Sequence, residues 1–235
     1  MKRFIAALLP FGLVNWYLKR KREAYVIQLV KNRKENLKQV NEQRNLLEVK
    51  GRYVNFGCGK NYQNGWVNID GENNGDINLL FEIDSILPFD SGTVDGIFNE
   101  HFIEHIDFQT GIHFMGESYR ILKKGGVLRI ICPNLDFILE GIDQEKLNNL
   151  KKMFISVGDF NRTPSEIHDA EVINFMFYGH GHKFIYNFKA LRELLTSMGF
   201  SSVQLSSFGK SSFPAMAIER RKDESFYSLY LEAVK

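Results

Sequence analysis

Tyr53-Val54-Asn55-Phe56-Gly57-Cys58-Gly59 is the stretch whose reading decides the fold. A short run with β preference ends abruptly in a glycine turn, the pattern of a buried strand feeding a sharp bend. The same pattern recurs down the chain. Trp66-Val67-Asn68-Ile69 ends at Asp70-Gly71, Ile77 to Ile83 ends near Asp84, Gly96-Ile97-Phe98 ends at Asn99-Glu100, and Val127 to Ile131 stops at Cys132-Pro133. Strands one, four and five are continuously apolar rather than alternating, which suits a parallel sheet covered on both faces. A helix from about Thr110 to Leu122, with Ile112, Met115, Tyr119 and Leu122 as its apolar positions, lies between the last two, and Lys123 to Gly126 turns the chain after it. Beyond it come an amphipathic helix from Phe188 to Met198 closed by Gly199, a strand from Ser202 to Ser206 and a strand from Phe226 to Val234. Alternating strands and helices give an open α/β sheet, here seven-stranded and mostly parallel with helices on both faces. Residues 134–185 fit the alternation poorly and read as an insertion, with a turn or helix around Glu145 to Phe154 and a His-rich loop.

The charge distribution separates this body from what precedes it. The chain of 235 residues carries 30 Lys and Arg against 28 Asp and Glu. Twelve of those basic residues and only four of the acidic ones fall in residues 1–50, leaving 18 basic and 24 acidic in residues 51–235. Two domains are therefore expected: a basic, partly apolar helical extension over 1–50 and a mildly acidic body over 51–235. An acidic body argues against nucleic acid as a partner. Two cysteines, Cys58 and Cys132, make no disulfide framework and fit a reducing cytoplasm. The apolar run from Phe4 to Leu18 has 15 residues and is followed by Lys19-Arg20-Lys21-Arg22. It is shorter than the roughly 20 residues that span a bilayer, and four basics stand where a signal peptide needs small residues. Two readings stay open for residues 1–22. One is a helix docked on the body or on a second copy, making a homo-oligomer. The other is a peripheral segment at the cytoplasmic face of a membrane, with Trp16 and Tyr17 at headgroup level.

In an open parallel sheet the C-terminal ends of the strands line one crevice, and ligands bind there. Here the crevice collects a glycine turn after strand one, Asp70 after strand two, and Glu82 and Asp84 after strand three. A carboxylate after strand two can accept from both hydroxyls of a ribose, so the arrangement suits an adenosine-bearing cofactor. The series Phe56-Gly57-Cys58-Gly59, Val67-Asn68-Ile69-Asp70, Leu87-Pro88-Phe89, Asp95, Glu104-His105 and Glu117…Arg120 through Ile131 resembles class I S-adenosylmethionine-dependent methyltransferases. It is most similar to the type-11 methyltransferase-like proteins found with bacterial surface-polysaccharide genes. The resemblance implies a Rossmann-like methyltransferase sheet binding S-adenosylmethionine and releasing S-adenosylhomocysteine. It also implies a cofactor site of Asn55, Phe56, Gly57, Cys58, Gly59, Asp70, Asp84, Ser85, Asn99 and Glu100, with Glu82 competing with Asp84 for adenine. Two departures stand out. Asn55 occupies the position of the family's acidic residue, and only ten residues separate Gly59 from Asp70. A parallel crossover normally takes a dozen or more, so the first crossover helix is expected to be lost or reduced to a turn.

Methyl transfer to a hydroxyl needs a base, and histidine is the side chain tuned near neutral pH. His101, at the end of strand four, is the first candidate; His105 and His182 follow. His101-x-x-Glu104-His105 is also similar to half of a metal site in some methyltransferases that use a divalent ion. Those carry Glu where His101 stands and need a further ligand, so no metal is expected. The function that follows is methyl transfer to a small-molecule or sugar acceptor in surface-polysaccharide biosynthesis. The alternative is a methyltransferase-fold binding or scaffold protein without catalysis.

Overall fold

The computed structural model describes residues 53–71, 79–80, 87 and 89–235. The expectations for residues 1–50, and for Glu82, Asp84 and Ser85, lie outside them. The described strands are β1 (Tyr53–Phe56), β2 (Val67–Asp70), β3 (Leu79–Leu80), β4 (Val94–Glu100), β5 (Leu122–Pro133), β6 (Ser202–Leu205) and β7 (Ser228–Val234). They form one sheet in the order β3-β2-β1-β4-β5-β7-β6. The first five pair in parallel, and β7 inserts antiparallel between β5 and β6. The turn expected at Lys123 to Gly126 is instead a bulge inside β5. Val94 pairs with Leu122 and Gly96 with Val127, so the residues between loop out of the ladder.

Alternation along the strands sorts side chains onto two faces. Val54, Phe56, Ile97, Leu128, Ile130 and Leu231 point to one and form the main core. Two amphipathic helices cover it: α1 (Phe108–Ile121), which buries Phe114 and Met115, and α5 (Phe188–Ser197), which buries Leu191 and Leu195. Asp107 starts α1 by accepting from the backbone of Gln109 and Thr110, both at 3.0 Å. Trp66, Phe98, Val127, Ile131 and Tyr230 point to the other face. The expected helices on both faces are not found here: among the described residues this side is closed by the irregular segment 206–221, through Phe208, Phe213, Met216 and Ile218. The physical reason is the first crossover, whose residues 57–66 contain turns and no helix.

That short crossover is held by amides. Asn55 donates to the Asn61 carbonyl at 3.0 Å and to Asn68 Oδ1 at 3.2 Å. Asn68, fully buried on β2, accepts from the Gln63 N–H at 2.8 Å and donates to the carbonyls of Gln63 and Trp66. A second clip fastens the chain before β4. Arg120 bonds both oxygens of Glu117 at 2.7 Å and reaches the carbonyls of Leu87 and Phe89, while Glu117 accepts from the Leu87 N–H at 2.9 Å.

The insertion is more helical than its sequence suggests. It contains α2 (Leu135–Leu139), α3 (Gln144–Ser156) and α4 (Asp169–Tyr178). These helices pack on a small core of their own, with Phe137, Leu150, Phe154, Val172 and Met176, and Tyr227 joins it from beside β7. No helix among the described residues is long and apolar enough to cross a membrane.

Candidate active site

Phe56 at the end of β1 lies in register with Ile69 of β2 on one side and Asn99 of β4 on the other. The ends of the three strands therefore stand together. Gly57 and Gly59 both have positive φ, 65° and 49°, which turns the chain sharply back. The N–H groups of Gly57 and Cys58 both donate to the Ile69 carbonyl, at 2.9 and 3.2 Å. The Gly59 N–H donates to Asp70 Oδ2 at 2.7 Å. Asp70 is thereby set beside the glycine turn, as a ribose-binding carboxylate must be. A side chain at Gly57 would collide with Phe102, whose ring would come within 2.5 Å of a Cβ there, whereas a Cβ on Gly59 would meet nothing within 4 Å. The space over Gly59 next to Asp70 is the cradle a ribose would occupy. Asn99 donates to the Arg129 carbonyl at 3.1 Å, and its buried Oδ1 has no hydrogen-bond partner. An orphaned acceptor at this strand end fits a cofactor bearing amino groups. Burial, with the nearby Asp70 carboxylate, pushes the Cys58 thiol up to about 12, so Cys58 is no nucleophile.

Two expected cofactor residues have other tasks. The Asn55 amide orients the crossover, as described. Glu100 is buried, and its carboxylate accepts from the backbone N–H groups of Arg220 and Arg221, at 3.2 Å to Oε1 in both cases. It fastens the segment before β7 to the end of β4.

The histidines gather on the far side of β4. His101 has φ 52°, in the left-handed region, and its N–H donates to the Ile131 carbonyl at 2.8 Å. Its ring is held between carboxylates: Nδ1 is 3.0 Å from Glu104 Oε1, and Nε2 is 3.2 Å from both Glu224 Oε2 and Ser228 Oγ. Burial opposes the charged ring, but Glu104 and Glu224 outweigh it and raise the pKa. Both ring nitrogens of His101, the expected general base, are thus engaged by neighbouring side chains.

His105 and His182 meet across the site with ring centroids 5.0 Å apart. Burial holds His105 below the ordinary histidine range, against the pull of Glu104, so its ring is neutral at pH 7. His182 Nδ1 lies 2.7 Å from the Met176 carbonyl, which only accepts. Nδ1 must be the protonated nitrogen, and Nε2 is left to accept. Both rings line a cavity of about 360 Å³ between the ends of β4 and β5 and the insertion helices. Met153, Phe154 and Met176 supply its apolar wall; Arg221, Glu224 and Tyr227 close it from the segment before β7. Those last three were not anticipated, and nothing in their local sequence marks them. Asn68 was legible in principle, as the one polar residue inside an apolar strand.

A family model described as a methyltransferase domain matches residues 15–130. That match, over just under half of the chain, is a likeness to methyltransferase domains. No curated protein matches the chain. Solved structures with a similar fold include an Archaeoglobus fulgidus S-adenosylmethionine-dependent methyltransferase, 14% identical over 86% of this chain and 94% of that one, with a TM-score of 0.49. A Thermotoga maritima S-adenosylmethionine-dependent methyltransferase is 16% identical over 93% of this chain and 97% of its own, with a TM-score of 0.46. A Haemonchus contortus phosphoethanolamine N-methyltransferase, in complex with phosphomonomethylethanolamine and S-adenosylhomocysteine, is 13% identical over 83% of this chain and 52% of its own, with a TM-score of 0.42. Identities this low carry nothing about an acceptor.

Proposed function

We propose that this domain transfers a methyl group to an oxygen or nitrogen of a small molecule or sugar held in the histidine-lined cavity. The observation that carries the reading is that cavity itself. At about 360 Å³ it has the size of a small-molecule site, and it opens at the end of β4, the strand that borders the glycine turn. The cofactor supplies an electrophilic methyl on a cationic sulfonium. The protein's part is alignment and exclusion of water. Asp70 and the space over Gly59 fix the ribose. The apolar wall of α3 and α4 keeps the acceptor dry. For a hydroxyl acceptor, His105 or His182 takes the proton.

Calorimetry tests this directly. S-adenosylmethionine and S-adenosylhomocysteine should bind at micromolar concentration, and Asp70→Ala should weaken both by about tenfold or more, the cost of a lost charge-assisted hydrogen bond of ~1.5–3 kcal/mol. Unchanged affinity in the variant would remove Asp70 from the ribose site. The engagement of His101 by Glu104, Glu224 and Ser228 favours the second reading, a cofactor-binding protein without catalysis. Binding with no release of S-adenosylhomocysteine across sugar and small-molecule acceptors would support it.

The surface-polysaccharide setting rests on the sequence resemblance. It agrees with a peripheral site at the cytoplasmic face of the membrane through residues 1–22, where basic side chains would meet anionic lipid. Salt-sensitive binding to anionic vesicles, lost when those residues are removed, is the expected outcome; equal binding by the shortened chain would return them to a docking or oligomer role.

A further inference from the structure

Glu104 is fully buried, and its Oε2 has no hydrogen-bond partner. Its Oε1 lies 3.0 Å from His101 Nδ1. A desolvated carboxylate with an unused oxygen is costly unless something pairs with it. On the side of Glu104 toward the cavity stand His105 and His182, and a ligand atom from each of the three residues lies within 4.8 Å of the others. We propose that Glu104, His105 and His182 form a binding site for a divalent transition-metal ion.

Three features besides proximity support the site. The first is the donor set. One carboxylate and two imidazoles suit zinc, iron or cobalt and disfavour magnesium, which takes oxygen ligands. The second is orientation. His182 donates from Nδ1 to the Met176 carbonyl at 2.7 Å, leaving Nε2 as the lone-pair nitrogen, and this outer bond is the usual support of a metal-bound histidine. The third is access. His105 and His182 line the cavity while Glu104 sits behind them. Bonds of about 2.1 Å to a shared tetrahedral ion would put the ligand atoms roughly 3.4 Å apart, so modest side-chain rotation closes the set. Three protein ligands leave a coordination position facing the cavity, where an acceptor oxygen could bind. The site adjoins the acceptor pocket of the proposed reaction, yet metal binding does not depend on that reaction; a histidine whose lone pair holds the metal is not also its base.

The test uses the full chain, stripped with a chelator and titrated by calorimetry with Zn²⁺, Co²⁺ and Mg²⁺ in turn. Zn²⁺ and Co²⁺ should bind one to one, with Co²⁺ developing the visible absorption of a low-coordinate complex, and Mg²⁺ should not compete. His182→Ala, at a partly exposed position, should weaken Zn²⁺ by at least about tenfold, since even outer-shell partners are worth that much. Glu104→Gln should do the same if it folds by circular dichroism; His182→Ala carries the test if it does not. His180→Ala, on the same loop but outside the ligand set, should bind Zn²⁺ as the parent does. Absence of saturable Zn²⁺ and Co²⁺ binding, unchanged affinity in His182→Ala, or equal loss in His180→Ala would overturn the site.

Discussion

The two glycines of the turn after β1 do different work, and the difference is measurable. Both carry positive φ, so alanine at either costs about 1–3 kcal/mol in backbone strain. At Gly57 the new methyl would also strike Phe102, whereas at Gly59 it would enter open space beside Asp70. Gly57→Ala should therefore lose more stability in urea unfolding than Gly59→Ala. Gly59→Ala should be the better folded of the two and still bind S-adenosylhomocysteine poorly, because its methyl fills the cradle. Equal losses of stability would mean that Phe102 yields freely and does not set the turn. Residue identity alone pointed to this turn, because glycine at a strand end is a statement about backbone conformation. It did not show the setting of His101. Sequence shows that a histidine stands at the end of β4, but not that Glu224, more than a hundred positions later, will share its proton with Glu104.

At the scale of elements, the strands were legible because buried parallel strands are written as unbroken apolar runs. Their ends were legible because Asp70, Asn99 and Pro133 punctuate them. α4 was not, since Val172-Ile173-Asn174-Phe175-Met176-Phe177 carries the β-branched and aromatic residues that favour strands; tertiary packing on Leu150 and Phe154 overrides the preference. Nor was the covering of the second sheet face. Arg129 on β5 is fully buried there, bonding Glu232 of β7 at 2.6 Å and pairing with Glu219 of the covering segment. It also reaches Ser206 Oγ and the Ser207 carbonyl. Arg129 thus ties two strands to the irregular segment 206–221 in place of a helix. Arg129→Met should cost about 3–5 kcal/mol, because Glu219 and Glu232 lose their buried cation, with only Ser211 and Ser212 still bonding Glu232. The sign of its pH dependence follows. Unpaired buried carboxylates have raised pKa values in the folded state, so their contribution is favourable below the unfolded pKa and is lost as pH rises through the folded one. The deficit should be smaller at pH 5 than at pH 8 in urea titrations of both proteins; a deficit independent of pH would show that the carboxylates find other partners.

At the scale of the whole molecule, the described residues form a sheet with its own core and an insertion with another, and the histidine-lined cavity lies between them. The residues proposed for the cofactor hang on β1, β2 and β4, while the cavity's apolar wall hangs on α3 and α4. Binding of cofactor and binding of acceptor should therefore be separable by mutation. Leu150 is fully buried at the centre of the insertion core and does not line the cavity. Leu150→Ala should cost about 2–5 kcal/mol, taken first from the insertion rather than from the sheet. Hydrogen exchange should show faster amide exchange in α3 and α4 with β4 and β5 still protected, because the two cores are built from separate sets of residues. Calorimetry on the same variant should find S-adenosylhomocysteine affinity unchanged. Faster exchange spread evenly through the sheet would instead mean that the insertion and the sheet open as one cooperative unit, and that the cavity is a product of both cores together.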